Sequence, residues 1–413
     1  MRVKSKVDIR KLVRPELVSM KGYTPIEPTE VLSQQTELPA DRVVKLDGNE
    51  NPYGCSLKVY QALATYPYYH NYPDPEQREL RKALEEYSGL GRQHIVCGMG
   101  SDDLIDLILR LFLKPGEEVI NCPPTFGMYP FSTDVCGGRL VDVPRTEDFA
   151  LDMARIKKAL TRRTKVIFVA SPNNPTGSTT PKKEIVELVD TGRIVAVDEA
   201  YCEFGNVTVA NSVPSYPNLI VLRTFSKWAG LAGLRIGYGF FPIEIANYLM
   251  KIKQPYNANA AAQAAVLASL ADIDYLRLNI MKIVMERGRL FGKLKELGWL
   301  KPYPSQANFI LCSLSYSPPC HSEGAKRPKN LATGKVREES RAKDIWQQLR
   351  QKGIFVRYFD TPRLRDCLRI SVGRPEDTDA LIGALRTLPI IATLSEMKRK
   401  QSQPFPSPLT GEG

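Results

Sequence analysis

NLIVLRTFSKWAGLAGLRIGY, residues 218–238, decides the fold. Its first seven residues are a short apolar run of the strand type, and Lys227 stands just past its end. Upstream, HIVCG (94–98), EEVIN (117–121), KVIFVAS (165–171) and IVAVD (194–198) read the same way, each β-branched and bounded by turn residues. Helical patterns lie between them, as in DDLIDLILRLFL (102–113) and KKEIVELVD (182–190). This alternation predicts an α/β fold with a mostly parallel sheet and helices on both faces. RIGYGFF (235–241) follows the preceding strand so closely that an antiparallel entry into the sheet is expected.

Beyond residue 258 the pattern turns Ala-rich and helical, and a long charged helix runs to about 297. NFILCS (308–313) and LRISVG (368–373) read as strands flanking a helix at 342–353, and a last helix spans 376–388. These form a smaller α+β domain. The expected division is 1–55 as an N-terminal arm and part of the small domain, 56–285 as the large domain and 286–395 as the small one. Residues 314–340 interrupt the small domain with Pro, Ser, Gly and charge but no periodicity, and they are expected to be a disordered insertion, as is the tail 396–413.

The 413 residues are 43% hydrophobic, enough for a core that needs no covalent staple. No stretch approaches 18 consecutive apolar residues, so no spanning helix is expected. The start is basic but has no apolar signal-peptide core, and the eight cysteines form no CxxC pair, so a cytoplasmic protein with reduced thiols is expected. Residues 1–14 hold six basic and one acidic residue, 320–343 seven and three, and 397–413 three and one. These stretches carry +11 of the net +12, so the body is nearly neutral and no nucleic-acid surface is expected. His70, His94 and His321 have no partner at metal-ligand spacing, which leaves no metal site and no seat for a Ser-His-Asp triad.

Four motifs fall at the C-terminal ends of the strands, where open parallel sheets bind ligands. GMGSDD (98–103) opens a helix, and the N–H groups of Ser101 and Asp102 suit a phosphate, although Gly-Ser-Asp is also an ordinary helix cap. SPNNPTG (171–177) contains Asn174 in what would pass for a plain turn. DEAY (198–201) puts a carboxylate, Asp198, at a strand end with Tyr201 behind it. TFSKWAGLAGLRIGY (224–238) supplies Ser226, Lys227 and Arg235.

In this order and spacing the set resembles the fold type I pyridoxal-phosphate enzymes of the aspartate aminotransferase superfamily, over roughly residues 20–313 and 342–390. The resemblance implies pyridoxal 5′-phosphate as cofactor, with Lys227 as its Schiff-base lysine and the acid–base group of the reaction. It implies Asp198 on the pyridinium nitrogen and Asn174 and Tyr201 on the phenolic oxygen. Ser226, Arg235 and the N–H groups of Ser101 and Asp102 would hold the phosphate, and Phe126 of PPTFGMY would stack on the ring.

LDGNENPYG (46–54) and NYPDP (71–75) narrow the resemblance to the histidinol-phosphate aminotransferases and their nearest relatives. There Tyr72 would reach the cofactor phosphate of the neighbouring subunit, which implies a homodimer with shared sites. Arg369 of LRISVG would clamp the substrate α-carboxylate, a task for a planar fork. Arg357 of GIFVRYF and Tyr23 of GYTP would meet the substrate phosphate. The implied reaction passes the amino group of L-histidinol phosphate to 2-oxoglutarate. A decarboxylase of L-threonine phosphate and an aromatic amino-acid aminotransferase remain alternatives, because motifs scarcely report which Cα bond is held perpendicular to the ring. Two features depart from the family pattern: the insertion after Ser313, and a Phe after Thr125 where tyrosine is common.

Overall fold

The computed structural model describes residues 7–20, 22–315 and 341–388. Nearly all of the expected insertion and all of the tail at 396–413 lie outside them. Among the described residues there are twelve strands: β1 Val44–Leu46, β2 Ile95–Gly98, β3 Glu118–Asn121, β4 Arg139–Asp142, β5 Thr164–Ala170, β6 Ile194–Asp198, β7 Leu219–Thr224, β8 Gly237–Phe240, β9 Leu300–Pro302, β10 Phe309–Leu314, β11 Ile354–Tyr358 and β12 Cys367–Ser371.

Seven of them form one sheet in the order β2-β8-β7-β6-β5-β3-β4. The β4-β3-β5-β6-β7 run is parallel, while β8 pairs antiparallel with both β7 and β2, as its short connection required. The central strands are Val/Ile/Leu-rich because both faces are covered. One face carries the helices Ser101–Phe112, Met128–Val135 and Ile243–Ile252, whose Leu104, Ile108 and Leu249 are fully buried. Leu57–Thr65, Arg78–Ser88 and Ala260–Leu270 pack on the other, with part of the long helix Ile273–Glu296. Each such aliphatic side chain contributes roughly 1.5–3 kcal/mol by leaving water.

The second sheet runs β1-β11-β12-β10-β9 and draws on both chain ends. Sequence patterning identified β10 and β12 but not β1, β9 or β11, nor the edge strand β4 of the large sheet. β1 and β9 are three residues each, too short to show a period. β4 reads exposed, half-buried, half-buried, exposed, so it lacks the alternation of a strand with one wet face. β11 follows directly on the helix Arg341–Gln351, and its apolar run merges with that helix's end.

The ends of β5, β6 and β7 and the paired strands β11 and β12 line one cavity between the two sheets. No helix among the described residues is long and apolar enough to cross a membrane.

Candidate active site

The cavity measures about 830 Å³, and twelve of the thirteen residues singled out from sequence line it. Lys227, just beyond β7, extends its ammonium Nζ to the carbonyl of Gly48 at 3.1 Å. Burial, assisted by the charge of Arg369, pulls its pKa down to about 8, against the opposing pull of Glu50 and Asp102.

Asp198 ends β6 and is buried. Tyr129 donates its hydroxyl to Oδ2 at 2.7 Å, and the Ala200 N–H donates to Oδ1 at 3.0 Å. Burial nevertheless pushes the carboxyl up to about 6. Among the described residues no cation pairs with this acid, so a cationic ring nitrogen would meet an unclaimed charge.

An anion cup lies beside it. Gly100, at φ +82°, turns the chain into the helix that starts at Ser101, and that helix is twelve residues long. A Cβ on Gly237 would lie 2.5 Å from the Ser101 nitrogen, so only glycine lets β8 approach the helix start this closely. The helix start, with the positive end of its dipole, therefore borders the cavity, which Ser101 and Asp102 line. Arg235 adds its guanidinium and pairs with the Asp102 carboxylate at 3.0 Å. Ser226 completes the cup, its hydroxyl accepting from Thr224 at 2.9 Å.

Two arginines form the opposite wall. Arg357 on β11 and Arg369 on β12 are directly opposed in the antiparallel register. Like charges so placed repel. Arg369 donates to Asn174 Oδ1 at 2.7 Å and to the Asp47 carbonyl, while its Nε has no partner among the described residues. Burial, reinforced by the charge of Arg357, lowers its pKa to about 10. Arg357 donates to the carbonyls of Thr24 (2.9 Å) and Pro25 (3.5 Å), which brings Tyr23 on the N-terminal arm to the cavity mouth.

The thirteenth residue, Tyr72, lies elsewhere. It is 81% exposed and stacks on Tyr256 with ring centroids 4.4 Å apart. Phe126 lines the cavity with its ring edge-on to Tyr129 at 5.7 Å. The Tyr201 hydroxyl accepts from Asn49 Nδ2 at 3.0 Å.

Sequence reasoning missed three residues of this neighbourhood. Asn49, at φ +54°, is bonded through its amide N–H and side chain to Ser371 and Tyr201, and its carbonyl accepts from Asn308. It stands in LDGNENPYG, a stretch whose resemblance implies no role for its asparagines. Tyr129 stands in PPTFGMY. Arg145 is buried and donates, among the described residues, to the carbonyls of Cys122, Phe149 and Ala170; no local pattern marks it.

Residues 41–385 match the family described as aminotransferase class I and II. The chain is 48% identical over 378 residues to the histidinol-phosphate aminotransferase of Dehalococcoides mccartyi, covering 92% of this chain and 98% of that one. It is 44% identical over 376 residues to the chloroplastic histidinol-phosphate aminotransferase 1 of Arabidopsis thaliana, covering 91% and 85%. Among solved structures it is similar to histidinol-phosphate aminotransferase from Sinorhizobium meliloti in complex with pyridoxal-5′-phosphate, with a TM-score of 0.79, 29% identity, and coverage of 92% and 98%.

Proposed function

The chain belongs to the class I and II aminotransferases, and from that premise we propose that it is a histidinol-phosphate transaminase dependent on pyridoxal 5′-phosphate. The residues present fit that cofactor: a lysine with a depressed pKa, a buried acid with no cation paired to it among the described residues, and an anion cup too tight for any Cβ at Gly237. Bound there, the group supplies an electron sink for charge that develops at the substrate Cα.

The chain's own residues divide the remaining work. Lys227 carries the cofactor and moves the proton at the substrate Cα, a task helped by a pKa of about 8. Asp198 would hold the ring nitrogen and keep it protonated, and Phe126 would pack against the ring. Asn174 and Tyr201 serve the phenolic oxygen, while Ser101, Asp102, Ser226 and Arg235 serve the phosphate. Arg369, with its free Nε, takes the α-carboxylate of the amino acceptor. Arg357 and Tyr23 take the phosphate of the amine substrate.

The observation that carries the substrate reading is the cross-strand pair Arg357–Arg369, both lining the cavity. Two opposed guanidiniums are tolerated where anions come between them, and a phosphomonoester amine alternating with a dicarboxylate meets that need. We also read the protein as a homodimer. Tyr72 is far too exposed to serve a monomer's own cavity, and a stacked Tyr72–Tyr256 pair on the surface suits a second copy.

The test is to supply the cofactor-loaded protein with L-histidinol phosphate and 2-oxoglutarate, and separately with L-threonine phosphate. Glutamate from the first mixture and no carbon dioxide from the second is the expected result. Carbon dioxide from the second alone would overturn the reaction while leaving the cofactor in place.

A further inference from the structure

We infer that Tyr129 is a positioning residue of the reaction, holding Asp198 as an anion for the cofactor's ring nitrogen through a hydrogen bond to Oδ2. The inference rests on the reading of Asp198 as the partner of the ring nitrogen. Tyr129 is fully buried, and its hydroxyl lies 2.7 Å from Asp198 Oδ2. Its ring is fixed: Phe168 lies parallel to it with centroids 4.7 Å apart, and Phe126 meets it edge-on. Its main-chain carbonyl accepts from Thr133 at 2.7 Å. The hydroxyl therefore has one place to be.

What surrounds Asp198 makes that donor matter. Burial opposes its ionisation, and the nearby acids Asp102 and Glu199 oppose it further. Tyr201, on the adjoining turn, stays a neutral phenol because burial lifts its pKa to about 12. The guanidinium of Arg145 is felt at Tyr129, and Lys227 and Arg235 are felt at Asp102. Two hydrogen bonds, from Tyr129 and from the Ala200 N–H, are what favour the carboxylate. The Tyr129 phenol is itself pushed well above its ordinary range, first by burial and then by Asp198, so it remains a donor at every working pH. Phenylalanine at 129 would keep the stack and remove one of the two bonds.

The consequence is a pH-dependent affinity for the cofactor. A protonated Asp198 cannot pair with a protonated ring nitrogen, so affinity falls as pH drops through the carboxyl's pKa. Without Tyr129 that midpoint rises. The experiment measures pyridoxal 5′-phosphate binding by absorbance between pH 5 and 8.5, in a Lys227→Ala background that removes the lysine's own titration. Titration of the cofactor phosphate is common to all variants and cancels in the comparison.

Tyr129→Phe is expected to weaken binding about tenfold or more near pH 6.5, the size of a hydrogen bond to a charged group, with the loss shrinking toward pH 8.5. In an Asp198→Asn background the same substitution should add no pH dependence. If the phenylalanine variant folds poorly, 3-fluorotyrosine at 129, a stronger donor, should move the midpoint down instead. An unmoved midpoint, or a loss equal at every pH, overturns the inference and leaves the cofactor reading intact. A Lys227→Ala parent that binds the cofactor at no pH overturns that reading itself, and this inference with it.

Discussion

A lysine that must exchange a proton near neutrality has to be relieved of its ordinary ammonium pKa, and Lys227 is relieved by burial and by Arg369. Lys227→Ala would remove both the covalent and the acid–base role proposed for it, so kcat should fall by at least about 10³-fold. Steady-state glutamate production checks it, and turnover at the parental rate would sink the assignment. For Arg357→Ala the expected loss is about 1.5–3 kcal/mol of binding to the phosphorylated amine, the range for a hydrogen bond to a charged group. It should appear as a raised KM for that substrate and a smaller change for 2-oxoglutarate. Equal changes in both would mean that Arg357 mainly holds the arm through Thr24 and Pro25. At this scale the sequence was legible where a residue type is tied to a strand end, as with Lys227, Asp198 and Asn174. Asn49 and Tyr129 act through hydrogen bonds to residues remote in the chain, as Arg145 does through Cys122 and Ala170, and spacing carries no trace of those.

The strand β8 and the helix Ser101–Phe112 together make the anion cup, and their contact is governed by glycine. Adding a methyl group at 237 drives it to within 2.5 Å of the Ser101 nitrogen and 2.7 Å of the Gly100 carbonyl carbon. Both are main-chain atoms, so neither can rotate away. Gly237→Ala should therefore displace the helix start, and cofactor affinity should drop by about tenfold or more, the equivalent of one charge-assisted hydrogen bond. Equilibrium binding of the cofactor to the apoprotein measures this; unchanged affinity would show that the cup tolerates the shift. The motif GMGSDD announced a helix start suited to phosphate, but not that Gly237, from a strand 136 residues beyond Ser101, forms its floor. Likewise the long apolar strands were legible and the short ones were not. β1 and β11 become strands because they pair with each other across some 300 residues, an effect no local window contains.

Behind the cavity, the fold buries a second polar cluster that the reaction does not use. Arg223 on β7 pairs with Glu199 at 2.9 Å and faces Tyr238 across the β7–β8 ladder. Glu203 lies close by with the Cys202 thiol beside its carboxyl, and Tyr238 Oη and Trp228 Nε1 have no hydrogen-bond partner among the described residues. Burial pushes Glu203 up to about 7 from an ordinary 4.5, with Arg223 opposing the shift and Glu199 adding to it. The sign follows from proton counting. Between pH 4.5 and 7 the folded state holds a proton at Glu203 that the unfolded state has lost, so stability falls as pH rises through this window. The penalty is absent below it and complete above it, on the order of 3 kcal/mol at most by the usual 1.36 kcal/mol per pKa unit. Glu203→Gln keeps the shape and cannot ionise. Urea unfolding at pH 5 and pH 8 should find the variant gaining stability over the parent by up to about that amount at pH 8 and by much less at pH 5. A difference between the two proteins that is the same at both pH values would place the Glu203 carboxyl in its ordinary range, with the cluster's negative charge held at all working pH by Arg223.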